Sequence, residues 1–510
     1  MRTGAQFLAS IKNDGRRVYH DGEMITDVTT HPAFREAARS IARLFDVASD
    51  PANRELMTYT SPTTGKPVNR IWQIPYSIED LNLRRSALER WSEETLGFMG
   101  RSPDHVAQFF MGFATDIETM SRGGANPYAE NIIPFYEFAR DNDAYITYTI
   151  VPPQIDRSKP AHQQDPSDSY AGVVEERADG IVIRGAQMLG TGAVFSDYIH
   201  LSTIHPMQSG DEPYAISVVI PVNAPGVKLY SRRSYAAGAN SLFDYPLASR
   251  FDETDCLLVY DDVFVPWEHV FAYRDLEVVR DQWWKTPAHV FGNNQAQTRF
   301  VTKLRFLIGL AYRIVKMNGG LNAPPIQQRL AELAIMCGTY EGLLDGQIAK
   351  AKPNHNGVYV PDRQIMYSAM NQQSIMYPQI LDIIRDLAGG GMIQLPSSVN
   401  DFANPEMAAD IRKYVRSPNV KADDRVKFMK LAWDAIGSEF ASRHDQYEKF
   451  YAGAPFIVKM HLYRNYDFKK AESLVDKALS GYGMNGRCVD LNLAENSADG
   501  ICPDCSCGMR

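Results

Sequence analysis

The order in which hydrophobic periodicity changes along the chain limits its fold more than any other feature. From Pro32 to Arg140 apolar residues recur at intervals of three and four, as in Ala37, Ile41, Leu44 and Phe45 and again in Val106, Phe109, Phe110 and Phe113. That is the spacing of helices with one buried face. From about Tyr148 to Val270 the pattern changes to short apolar runs, at 172–176, 180–185, 198–202, 215–220 and 256–260, each bounded by Gly, Pro or Asp. Such runs are predicted strands. Beyond Arg280 the helical spacing returns in longer segments, at 299–315, 326–350, 374–387 and 425–451, lengths that suit a bundle. The expectation is an α+β protein with a helical domain over 1–147, a β domain over 148–275, a helical bundle over 276–470 and a tail over 471–510. No internal repeat or low-complexity linker separates these zones, so they are expected to form one cooperative unit.

A chain of 510 residues, 45% hydrophobic and 22% charged, can bury a large core. Its net charge of -8 and dispersed Lys and Arg argue against nucleic acid as a partner. No run approaches the length of a membrane span, and Met1 to Phe7 has no apolar core followed by a cleavage site, so the expectation is a soluble cytoplasmic protein with no membrane partner. There is neither a G-x-G-x-x-G after a strand nor a G-x-x-x-x-G-K-[ST], so any nucleotide is held another way. Gly389-Gly390-Gly391 either lets backbone approach a ligand closely or ends a helix. Six cysteines make no disulfide framework, and Cys256 and Cys337 read as buried thiols. Cys488, Cys502, Cys505 and Cys507 crowd the C-terminus with a C-x2-C step that allows a zinc site. The spacing after Cys505 is tighter than in paired knuckles, and no functional metal is expected.

The stretch from Gly100 to His105 sets a permanent cation, Arg101, four residues before a titratable imidazole, His105. Pro103 suits a first helical position and Ser102 suits its N-cap. A helix starting there would turn its N-terminal N–H groups and the Arg101 guanidinium toward the same place, which would suit an anion or a phenolate; Ser-Pro-Asp is also a common helix start, so an ordinary cap with no ligand is the alternative on local grounds.

Seven motifs place the chain among known proteins: Arg2-Thr3-Gly4, Val28-Thr29-Thr30-His31-Pro32, the Met99 to Asp104 stretch, Pro153-Gln154, Arg184-Gly185-Ala186, Asp261 to Glu268, and Leu431-Ala432-Trp433-Asp434. In this order they resemble the oxygenase component of two-component flavin-dependent aromatic hydroxylases, the 4-hydroxyphenylacetate 3-monooxygenase and chlorophenol monooxygenase family, over nearly all of residues 2–466. The resemblance implies an acyl-CoA-dehydrogenase-like fold with N-terminal helices, a middle β-barrel and a C-terminal four-helix bundle. It implies FAD, taken up reduced as FADH2 from a separate NAD(P)H:flavin reductase, with O2 and a phenolic small molecule as co-substrates and a homotetramer as the assembly. Flavin contacts implied by the resemblance are Gln154, Arg157, Thr191 and the run Ser442, Arg443, His444 and Asp445, with Tyr148 nearby and Gly390 reaching the flavin of a neighbouring subunit. Thr203 matches a substrate-contact position.

In such enzymes reduced flavin and O2 form a C4a-hydroperoxide whose distal oxygen is attacked by the ring carbon of a phenolate. The site therefore needs a base, a cation for the phenolate and exclusion of water. The unperturbed pKa of histidine, about 6.5, suits His105 as the base, with Arg101 as the cation. Tyr148 is a donor to the substrate oxygen or the peroxide. The hydroxyphenylacetate branch carries Tyr and His at the positions of His105 and Tyr148, so the pair is exchanged here and the substrate need not be 4-hydroxyphenylacetate. Halophenol-acting members are similar around Ala288-His289-Val290, which makes His289 a second candidate base. Oxidative dehalogenation or denitration, and hydroxylation of a tyrosine-derived intermediate, are alternatives within the class. An iron-sulfur dehydratase of the 4-hydroxybutyryl-CoA kind is excluded on ligand count, there being no Cys between Cys256 and Cys337. A flavin-binding protein without catalysis is the alternative outside the class.

Overall fold

A computed structural model describes residues 1–239 and 241–480; the four C-terminal cysteines lie outside them. Residues 1–458 form one compact unit, and the described residues from 459 to 480 belong to a second. Helices come first, the two main sheets follow, and long helices close the first unit, in the predicted order. No helix of the described residues is long and apolar enough to cross a membrane.

The larger sheet runs Glu23–Ile25, Val18–His20, Val227–Ser231, Asp255–Pro266, Gly180–Thr191 and Gly172–Arg177. The smaller runs Val270–Tyr273, Ile216–Pro221, Tyr198–Leu201 and Ile146–Thr149. Alternation decides which faces turn inward: along Val227–Ser231, Val227 and Leu229 are buried while Lys228 and Tyr230 are not. A bridge between Val151 and Met188 joins the end of one sheet to the other. Two strands come from the N-terminal zone, where Val18 pairs in parallel with Leu229. At three residues each they are too short to carry a readable period. The strand expected at 256–260 continues to Pro266 through a bulge between Tyr260 and Val263, where Asp262 has a left-handed φ of 54°.

The central helix, Ala288–Met317, starts eleven residues before the segment predicted at 299. Its first half carries Asn293, Asn294, Gln295, Gln297 and Thr298, and these polar residues hide the apolar period although all of them are buried. Buried polar groups need partners, and they find them here: Gln297 Nε2 donates to the Met366 carbonyl at 2.9 Å, and Asn294 Nδ2 to Gln347 Oε1 at 3.1 Å. The Pro103–Ala114 helix lies antiparallel against it. At Gly112 the two backbones touch, since a Cβ there would stand 2.2 Å from the Ala288 Cα.

The single helix expected over 425–451 is two, Ala422–Ile436 and Glu439–Phe450. Ser438 caps the second by accepting from the Ala441 N–H, and Asp434 accepts from the N–H groups of Leu247 and Ala248 at 2.7 and 2.8 Å. The motif ending in Asp434 thus ties the bundle to the segment that precedes the Asp255–Pro266 strand. In the second unit, Asp467 caps the Phe468–Leu479 helix, which crosses the boundary expected at residue 470.

Candidate active site

Ser102 stands at the N-cap of the Pro103 helix, but its hydroxyl makes no capping bond. It donates instead to Asp104 Oδ1 at 2.5 Å. Asp104 Oδ2 accepts from Gln295 Nε2 at 2.9 Å, and Gln295 Oε1 lies 2.8 Å from His105 Nδ1. Burial pushes the Asp104 pKa up, and the donors Ser102 and Gln295 hold it back. The other ring nitrogen of His105, Nε2, faces the Tyr148 hydroxyl across a long 3.4 Å contact. Burial, reinforced by Arg101, holds the His105 pKa well below 6.5, so the ring is neutral at physiological pH. The base expected near neutrality is therefore already unprotonated, and weaker than a free imidazole.

Arg101 meets the same tyrosine. Its guanidinium carbon lies 5.5 Å from the Tyr148 ring centroid and 5.2 Å from that of Tyr447, which brackets the cation between two aromatic faces. Nη2 donates to the Tyr451 carbonyl at 2.9 Å, whereas Nη1 is buried with no partner among the described residues. Burial opposes the charge, and Tyr148, Tyr447 and Glu253 outweigh it, leaving the pKa raised.

The neighbouring carboxylates are committed elsewhere. Glu253 and Asp255 both accept from Arg443, at 3.0 and 2.7 Å, and Glu253 also takes the Arg101 backbone N–H. Glu448 accepts from Arg299 through both oxygens and from Lys303 at 3.0 Å. Arg101 is thus a half-buried cation whose Nη1 is fully covered, with no carboxylate ion-paired to it among the described residues, against an aromatic cluster of Phe109, Tyr148 and Trp283. Such a group calls for an anionic oxygen.

The Lys303–Glu448 pair shows opposite tendencies. Arg299 and Lys303 hold the Glu448 pKa down at about 2, yet burial takes Lys303 to about 8. Both follow from two cations sharing one carboxylate: Arg299 is the bidentate partner, and Lys303 is the surplus charge facing it.

Other predicted residues divide by environment. Gln154 and Arg157 sit exposed on the loop after the Val151 bridge, and neither side chain makes a hydrogen bond or ion pair among the described residues. Beside that bridge stand exposed Ile155, Leu189 and Ile204, Leu189 in a left-handed conformation with φ 62°. Thr191 donates to Asp255 Oδ1 at 2.6 Å, and Ser442 to the Ser438 carbonyl. His444 is buried against Phe98 and Phe440, and Asp445 is half-buried. Gly390 is exposed in the turn after the Arg363–Ala388 helix. Thr203 offers its carbonyl to Trp283 Nε1 at 3.0 Å. His289 packs on Trp284, with Nδ1 3.2 Å from the Tyr367 hydroxyl, on a different face of the central helix from Gln295. Two surface cavities, of about 340 and 360 Å³, are lined by other residues, Lys285, His355 and Arg363 in one and Tyr235, Trp433 and Phe440 in the other. Gln295 and Asp104 were not predicted as site residues; the one signal for Gln295 is a polar run, Asn293 to Thr298, inside an otherwise apolar helix.

A solved structure of the oxygenase component of 4-hydroxyphenylacetate 3-monooxygenase, complexed with FAD and 4-hydroxyphenylacetate, superposes with a TM-score of 0.89 at 32% identity, covering 94% of this chain and 98% of the other. Fold and site therefore define the oxygenase component of an aromatic monooxygenase. The 4-hydroxyphenylacetate 3-monooxygenase oxygenase component of Pseudomonas aeruginosa is 35% identical over 96% of this chain and 94% of its own length. A 4-nitrophenol 2-monooxygenase oxygenase component of Rhodococcus is 35% identical over 95% and 93%. The family models for the 4-hydroxyphenylacetate 3-hydroxylase N-terminal and C-terminal domains match residues 3–272 and 279–480, and the chain belongs to that family.

Proposed function

We propose that this protein hydroxylates a phenolic ring, using O2 and FAD that arrives reduced from a separate reductase. The observation that carries the reading is the buried Nη1 of Arg101, which has no partner among the described residues, beside a neutral imidazole and a tyrosine hydroxyl. Bound reduced FAD, with O2, supplies the electrophilic oxygen. The protein's own residues make the ring a nucleophile: His105 Nε2 accepts the phenol proton, Arg101 holds the phenolate, and Tyr148 donates to its oxygen. Because the His105 conjugate acid is strong, the phenol gives up its proton readily only as Arg101 takes the developing phenolate oxygen, so the two act together. His289 is the second candidate base, and Thr203 a substrate contact.

The residues present fit the cofactor. Gln154 and Arg157 are free donors beside exposed Ile155 and Leu189, the mixture an anionic molecule with a flat ring requires. Thr191, Ser442, Arg443, His444 and Asp445 complete the proposed flavin region, with Gly390 contributed across a subunit boundary. Exposed Ile335, Ile375 and Ile393 on the bundle support a homotetramer, and a cytoplasmic location belongs to the same reading. The exchange of His and Tyr at 105 and 148 leaves the phenol open; 4-nitrophenol, on which the Rhodococcus relative acts by its name, is one candidate.

The protein should be mixed anaerobically with chemically reduced FAD and a panel of 4-hydroxyphenylacetate, 4-nitrophenol, 4-chlorophenol and tyrosine derivatives, then exposed to O2. An oxygenated product from at least one phenol is expected without NADH. Protein that binds reduced FAD but releases only H2O2 with every phenol overturns the reading.

A further inference from the structure

We infer that Gln295 is a positioning residue that fixes the tautomer of His105, and that Asp104 sets the direction in which Gln295 acts. This deepens the reading of His105 as the base and rests on it. A primary amide offers an acceptor at one end and donors at the other, and alone it would serve either tautomer of an imidazole. Asp104 breaks that symmetry. Its carboxylate already takes the Ser102 hydroxyl on Oδ1, lies in the first turn of a helix where a negative charge is favoured, and needs a donor on Oδ2. The Gln295 NH2 therefore faces Asp104 at 2.9 Å, and its carbonyl faces His105 Nδ1 at 2.8 Å. A carbonyl there accepts only from an N–H, so the proton of the neutral ring sits on Nδ1. Nε2, the nitrogen toward Tyr148, keeps its lone pair.

The alternative arrangement is costly on the same geometry. With the amide turned round, its carbonyl would face the Asp104 carboxylate, acceptor against acceptor, in a buried place. His105 would then carry its proton on Nε2, where it can donate to a phenolate but cannot accept from a phenol. Asp104 and His105 are adjacent on one helix while Gln295 comes from another, so the relay Ser102–Asp104–Gln295–His105 spans the helix pair and ends on the reacting side. Polar groups that orient a base through its second nitrogen act on the chemistry without touching the substrate.

The test uses the full chain with histidine labelled in 15N, the His105 signals being assigned by difference from His105→Gln. The resting wild-type protein is expected to report Nδ1 protonated and Nε2 not. Gln295→Leu is expected to lose that preference and to lower the kcat of phenol hydroxylation about 100-fold, the lower range for a general base, while reduced FAD is still consumed by O2. Gln295→Glu sets two carboxylates against each other and should be impaired as well. Asp104→Asn/Gln295→Glu restores the order of donors and acceptors, since the amide introduced at position 104 donates to the carboxylate introduced at position 295, and that carboxylate accepts from Nδ1–H. The double variant should recover most of the lost kcat and the wild-type tautomer. A packing role for Gln295 predicts no such rescue. Retention of the Nδ1–H tautomer in Gln295→Leu, or a double variant no better than Gln295→Glu, overturns the inference. If wild type hydroxylates no phenol, the functional reading fails while the tautomer measurement still judges Gln295.

Discussion

Replacing Arg101 by Met tests the site at its centre, because the side chain keeps its bulk and loses only charge and donors. A phenolate oxygen hydrogen-bonded to Nη1 sits about 4 Å from the centre of the guanidinium charge, and at an effective dielectric of about 20 that attraction is worth about 4 kcal/mol. The corresponding loss in hydroxylation is about 1,000-fold in kcat/KM. A second signature accompanies it. Arg101 is one of the two main influences holding down the His105 pKa, burial being the first, so its removal moves that pKa up toward 6.5. Only neutral His105 can accept a proton, and the acidic limb of the pH–rate profile should therefore move to higher pH. Single turnovers with chemically reduced FAD, scored for hydroxylated product and for H2O2 across the pH range, measure both effects. The reasoning is refuted if product formation falls while the acidic limb stays put, or if product and peroxide fall together.

Three further outcomes follow from buried charge and close packing. His105, His200 and His444 are all held below 6.5, mainly by burial, so the unfolded chain takes up protons that the folded one refuses; stability should fall as pH drops below about 6.5, by up to about 4 kcal/mol per pH unit, as read by urea denaturation at stepped pH. Glu448→Gln leaves Arg299 and Lys303 buried against a neutral amide and should cost about 3–5 kcal/mol, with part recovered in Glu448→Gln/Lys303→Met; denaturant midpoints of both variants check this. Gly112→Val drives a side chain into the Ala288 backbone and should cost about 1–3 kcal/mol, with a larger proportional loss of hydroxylation than of FAD binding, measured by thermal unfolding and flavin titration.

The three-zone order of the fold was legible because long helices and buried strands carry their period in their residues. What escaped was polar or short. The strands at Val18–His20 and Glu23–Ile25 have three residues each, too few for alternation to stand out. The front of the central helix escaped because the polar run from Asn293 to Thr298 interrupts the apolar period although it is buried, and a polar group's partner lies on another element that periodicity cannot see. The site divides in the same way. Arg101 and His105 stand one turn apart and read together from the sequence as candidates, and family resemblance adds Tyr148. Gln295, 190 residues from His105, was invisible for want of any local signal beyond that polar run. The break at Gly437 and Ser438 was missed because apolar spacing runs on across it, whereas the cap that begins the next helix depends on a single hydroxyl.

The touching backbones at Gly112 and Ala288 have a consequence for how His105 and Gln295 are kept in phase. His105 precedes Gly112 by seven residues, and Gln295 follows Ala288 by seven, so on antiparallel helices the contact and the pair are separated by the same two turns on both sides. A seven-residue step brings a side chain back to within about 20° of the same face, whereas a one-residue slip turns it by about 100° and shifts it about 1.5 Å. The glycine therefore works like a pin through two shafts. It allows the helices no alternative mesh, and it does so about 10 Å from the imidazole, at the rise of about 1.5 Å per residue. Deleting one residue between His105 and Gly112 would keep both His105 and Gln295 in the sequence and turn one about 100° away from the other.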